Sequence, residues 1–98
     1  MAMHKIMQED RRLVILRSLN EMGGYEANES IINQCLESYG HHVSRDTVRS
    51  ELAWLDEQQL IAVRDVSGYM VAKLTARGAD AATGKAIVPG VKKPRPAL

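Results

Sequence analysis

The fold is decided by residues 44–74, SRDTVRSELAWLDEQQLIAVRDVSGYMVAKL. Ser44 opens this stretch as a helix N-cap, its side-chain oxygen suited to an unpaired backbone N–H, and Asp46 adds negative charge where the helix dipole favours it. Val48, Leu52 and Leu55 recur at helical spacing, which predicts a helix over residues 45–58. From Leu60 the period changes to two. Ile61 and Val63 share one face, Ser67-Gly68 makes a two-residue turn, and Met70, Ala72 and Leu74 return on the same face. That turn sets Ile61 against Leu74, Val63 against Ala72 and Asp65 against Met70. It leaves Ala62, Arg64, Val66, Tyr69, Val71 and Lys73 on the opposite face.

Working outward, Ile15, Leu16, Leu19 and Met22 mark a buried helix from about residue 8 to 22, ended by Gly23-Gly24. Asn28 caps a second helix with Glu29 in its first turn. Ile31, Ile32, Cys35, Leu36 and Tyr39 form its apolar side, and Gly40 closes it. Past the hairpin, Thr75 caps a short alanine-rich helix from about Ala76 to Thr83 that stops at Gly84. Pro89, Gly90, Pro94 and Pro96 then forbid regular structure, so residues 85–98 read as an extended basic arm beyond a domain of residues 1–84, either solvated or with its prolines packed on Trp54 or Tyr69. The expected class is mainly α with a two-stranded hairpin. The order α-α-α-β-β-α is that of a winged helix-turn-helix, with the second and third helices as its core and the hairpin as its wing.

The run from Val43 to Ile61, followed by Leu74-Thr-Ala-Arg-Gly78, resembles the recognition-helix and wing signature of small winged-helix regulators. Gly24-Tyr25, Asn28-Glu29-Ser30, Ser44-Arg45-Asp46 and Pro89-Gly-Val-Lys-Lys-Pro-Arg-Pro96 resemble a family of about this size in Mu-like phages and prophages, often labelled arsenic-repressor-type regulators. The resemblance covers nearly the whole chain and implies a transcription regulator in a bacterial host. Two departures matter. Winged-helix regulators usually carry glycine where this chain has Gln59, which predicts a somewhat different exit from the third helix. Metal-sensing relatives carry a cysteine pair on the third helix, and its absence here withholds a metal-sensor role.

Composition bounds the remaining possibilities. Ninety-eight residues, 45% apolar and 26% charged, make one globular domain. No apolar run reaches the roughly 18 residues of a membrane span, and no secretory signal is read at the N-terminus. A lone Cys35 fits a reducing compartment, so the expected location is cytoplasmic. The net charge of +1 is unevenly divided. Lys85, Lys92, Lys93 and Arg95 give the arm +4, leaving nine of thirteen basic residues against all twelve acids, or −3, on the body.

If the third helix enters a major groove, Ser44, Arg45, Thr47, Arg49 and Ser50 face it, Arg64 and Lys73 of the wing reach phosphates, and Lys92, Lys93 and Arg95 of the arm follow the backbone. Double-stranded DNA is then the expected partner of a regulator acting as a weak homodimer, bound weakly and salt-sensitively because the body is acidic. The alternative is a protein-interaction module that does not bind DNA. Trp54 at the core edge and the outer wing residues Val66, Tyr69 and Val71 would dock a phage or host protein, or a second copy as a homodimer. Cys35 sits in an apolar stripe and reads as a core thiol, while His41 and His42 fall in the following loop, so no metal site is assigned. No phosphate loop, dinucleotide turn or catalytic triad is found. The chain reads as a binding protein rather than an enzyme, with no cofactor and no small-molecule ligand.

Overall fold

A computed structural model describes residues 2–95. The first helix, α1 (Ala2–Glu21), starts about six residues before its apolar pattern does. Residues 2–7 hold neither glycine nor proline and continue the helix with exposed side chains. From Arg11 to Leu16 every residue is buried, so the middle of α1 is enclosed on all sides. A short 3₁₀ turn (Gly23–Tyr25) follows, then strand β1 (Glu26–Asn28), and then α2 (Glu29–Ser38) and α3 (Arg45–Glu57). Both caps sit where the sequence puts them. Asn28 accepts the Ile31 N–H at 2.9 Å, and Ser44 accepts that of Thr47 at 3.2 Å.

Strands β2 (Ile61–Val66) and β3 (Tyr69–Leu74) form the hairpin in the expected register, Ile61 opposite Leu74, Val63 opposite Ala72 and Asp65 opposite Met70. Ser67 and Gly68 both take positive φ, the geometry of a tight hairpin turn whose twist matches its strands. The sheet nevertheless has three strands, not two, in the order β1-β3-β2. Ala27 pairs with Ala72 and Glu26 with Lys73, so the chain leading into α2 closes one edge of the hairpin. Three residues carry no visible alternation, which is why this strand is missing from the sequence reading. The architecture is thus four helices with a small antiparallel sheet, compatible with the expected α-α-α-β-β-α order.

One core joins the layers. Ile15, Leu16 and Leu19 of α1, Ile32 and Leu36 of α2, and Val48, Leu52 and Leu55 of α3 meet Leu60, Ile61 and Ala72, all essentially inaccessible to solvent. Helix α4 (Ala76–Thr83) lies on α1 and starts at the Thr75 cap. Gly78 in its first turn is required by close approach, because a Cβ there would fall on the Leu60 carbonyl oxygen. The exit from α3 differs from the expectation. Gln59 has φ +62°, so the left-handed conformation is kept without glycine, and the chain bears the strain.

Residues 85–95, read as an extended arm, are placed against the domain. They have no regular structure, yet they fold back over α1. Val88 is 4% exposed and belongs to the core, and Val91 packs against it. Gly90, at φ +94°, lies so close to the Trp54 ring that a Cβ would approach it to 2.8 Å. Arg12 Nη1 donates to the Gly90 carbonyl at 3.1 Å, and the Lys92 amide donates to that of Glu9 at 3.2 Å. Apolar burial and these bonds offset the entropy of ordering the segment. Residues 96–98 of the expected arm lie outside the described residues.

Candidate nucleic-acid interface

Helix α3 meets its neighbours through two buried carboxylates on opposite sides. Towards α1, Glu51 is 3% exposed and accepts Arg11 Nε at 2.9 Å and Arg12 Nε at 2.8 Å, both arginines themselves buried. The Arg12 guanidinium also stacks on Trp54, 3.8 Å from the ring centroid. Trp54 is therefore flanked by Arg12 on α1 and Gly90 of the tail, and stays partly exposed. Beside it runs an open groove of about 380 Å³ between α1 and α3, lined by His4, Gln8, Asp46, Thr47 and Ser50 among others.

Towards the hairpin the carboxylate is Glu29, the first residue of α2 and 2% exposed. Its Oε1 accepts Arg45 Nε at 2.6 Å. Its Oε2 accepts Arg49 Nη1 at 2.7 Å and the Met70 amide at 3.2 Å. Burial pushes this carboxyl up, but hydrogen bonds from Arg45 and Met70, with the charges of both arginines, outweigh it and hold it below its ordinary 4.5. Arg45 Nη2 and Arg49 Nη1 also donate to the Gly68 carbonyl at the hairpin tip, at 3.1 and 3.4 Å. Arg45 further stacks on Tyr69, 5.3 Å from its centroid. One glutamate thus ties α2, α3 and the hairpin tip together.

The residues singled out in the sequence are accordingly not equivalent. Ser44 and Thr47 share their hydroxyls across the cap at 3.1 Å, and Ser50 is exposed beside the α1 groove. The Arg45 side chain is 60% exposed and that of Arg49 34%, so both reach solvent while paired. Arg64 bonds Glu26 at 3.1 Å, and Lys73 stands opposite the same glutamate in the β1–β3 register, which shares out the charge of the hairpin. Lys92 bonds Asp10 at 3.2 Å, while Lys93 and Arg95 are exposed. Asp10 also holds buried His41 Nε2 at 2.7 Å, so the tail meets the α2–α3 turn through this carboxylate. Burial of Asp10 is outweighed by the hydrogen bonds of His41 and Lys92, and its carboxyl lies below the ordinary 3.8.

Trp54 and the outer hairpin residues are not brought together. Val66 and Tyr69 are an exposed cross-strand pair, with half-buried Val71 beside them on the outward sheet face, whereas Trp54 faces α1 and the tail. The residues that organise the surface, Glu29, Glu51, Arg12 and the Gly68 carbonyl, had no site role in the sequence reading. The available signal was polar residues at inward helical positions, such as Glu51 one residue before Leu52.

The chain is 58% identical over 91 residues to an uncharacterized protein, gp26, of Escherichia phage Mu, covering 93% of this chain and 94% of that protein. It is 51% identical over 78 residues to an uncharacterized protein of Haemophilus influenzae, covering 79% and 76% respectively. No family model matches the chain, and no solved structure does.

Proposed function

Because the chain belongs to the Mu-like phage protein family that includes gp26 of phage Mu, we propose that it is a small phage winged helix-turn-helix regulator that binds double-stranded DNA. The observation that carries this reading is the placement of Arg45: largely exposed in the first turn of α3, next to Ser44, and fixed to the hairpin tip through Gly68. A groove-entering helix needs its base-reading side chains in its first turns and its wing held in register with them. The affinity is low. Arg45, Arg49 and Glu29 together carry only +1, Asp46 faces outward beside them, and Glu26 shares the charge of Arg64 and Lys73. Lys93 and Arg95 add exposed positive charge, so a salt slope of about three fits.

Titration of the full chain against a labelled duplex tests this. Binding is expected at about 20 mM salt and should weaken by roughly 400-fold at about 150 mM, the loss a slope of about three gives, with Arg45→Ala weakening it further. Absence of binding by the full chain at low salt defeats the reading. The paired arginines and the exposed Val66–Tyr69 patch favour a second one, a protein-interaction module docking a phage or host protein on the outer sheet face.

A further inference from the structure

We infer that Glu29 is a specificity-positioning residue, which holds Arg45 as a reader of a single guanine in the major groove; this rests on the DNA-binding reading above. A guanidinium has five N–H groups in one plane, and reading guanine requires two of them, side by side, aimed at O6 and N7. Arg45 commits Nε to Glu29 and one hydrogen of Nη2 to the Gly68 carbonyl. Among the described residues nothing engages Nη1, so the terminal fork of Nη1 and Nη2 is left for a ligand. The Tyr69 ring stacks on the guanidinium and limits its rotation. Three independent contacts on a 60% exposed side chain fix the plane of the fork before any ligand arrives.

Arg49, one turn along α3, supports this arrangement rather than duplicating it. Both its contacts leave from Nη1, and its side chain is only 34% exposed. Its charge keeps Glu29 ionised and neutralised, which frees Arg45 from balancing that buried carboxylate alone. The arrangement sacrifices charge for orientation. A negative group beneath the reading arginine lowers attraction to any phosphate, yet it sharpens the choice of base.

This trade gives Glu29→Gln an unusual expected signature. The substitution keeps the size of the side chain and one acceptor oxygen while removing the charge. Affinity for an unrelated duplex should therefore rise a few-fold, while preference for the selected site falls.

The experiment is selection of the full chain, at low salt, on a pool of duplexes randomised over about ten base pairs. The wild type is expected to enrich sites sharing one fixed guanine. Replacing that base by 7-deazaguanine, which lacks the N7 acceptor, should weaken binding about 10-fold. Glu29→Gln should lose most of that discrimination and bind a scrambled duplex more tightly. Arg45→Lys, which keeps a positive charge beside Glu29 at a 60% exposed position, should keep affinity for the scrambled duplex and lose the guanine preference. Enriched sites with no fixed guanine overturn the inference and leave DNA binding standing, as does Glu29→Gln with discrimination intact. A wild type that enriches nothing overturns both.

Discussion

Replacing Glu51 by glutamine alters one oxygen and the charge, with almost no change in volume. The wild-type carboxylate faces two buried guanidiniums at 2.9 and 2.8 Å. After the substitution both remain buried without a counter-charge, and the new amide NH₂ meets a donor. Removing one partner from a buried ion pair costs about 3–5 kcal/mol. The lower end applies here. Arg12 keeps the Gly90 carbonyl and the Trp54 face, and Arg11 borders the open groove through which it can reach water. A domain of this size has about 5–15 kcal/mol in total, and each 1 kcal/mol shifts Tm by about 4–8 °C. Loss of about 3 kcal/mol should therefore lower Tm by about 12–24 °C, as read by far-UV circular dichroism at pH 7. Urea titrations of both proteins should give equal m-values. The triple variant Arg11→Met, Arg12→Met, Glu51→Leu should recover most of the loss, because an apolar trio carries no desolvated charge. A Tm shift below about 4 °C for Glu51→Gln, or a triple variant no more stable than it, refutes the reasoning.

The other expectations are smaller in scale. Gly78→Ala forces a methyl onto the Leu60 carbonyl and should cost about 1–3 kcal/mol in chemical denaturation, where an unchanged midpoint would contradict the packing. Gly90→Ala adds both a clash with Trp54 and a strained φ, so it should loosen the tail and red-shift tryptophan emission while far-UV ellipticity stays within error; emission identical to wild type would disprove the contact. Glu29 and Asp10 both have carboxyls held below their ordinary 4.5 and 3.8, so their stabilisation is complete above those values and is lost as pH falls towards the folded-state ones. Stability should be flat between about pH 5 and 7 and fall below about 4.5, less steeply in Glu29→Gln; parallel acid limbs for the two proteins would exclude Glu29 as a source.

What was legible from sequence divides along physical lines. The hairpin register, the three caps at Asn28, Ser44 and Thr75, and the inward stripe of α3 were readable because each follows from local periodicity or from one side chain bonding its own backbone. Strand β1 was not, since Glu26-Ala27-Asn28 becomes a strand only through pairing with β3, some 45 residues later. The docking of the tail was open in the sequence, which offered Trp54 as a place for it but could not choose it, for a similar reason. Proline content argues correctly against helix and strand there, but says nothing about Val88 entering the core or Gly90 seating on Trp54. The reading of Arg45 and Arg49 as outward cations was incomplete because their partner, Glu29, was read only as a first-turn helix charge.

The lysine-to-aspartate bond between Lys92 and Asp10 joins groups 82 positions apart. Closing so long a loop brings little until the helices and sheet that flank it are in place, so the segment from Val88 to Lys92 should be the last part to consolidate during folding and among the first to open afterwards. Its amides, above all that of Lys92 on the Glu9 carbonyl, should exchange with deuterium long before those of β3. Each such opening briefly uncovers the part of the Trp54 indole that Gly90 covers, while the rest of the domain stays folded.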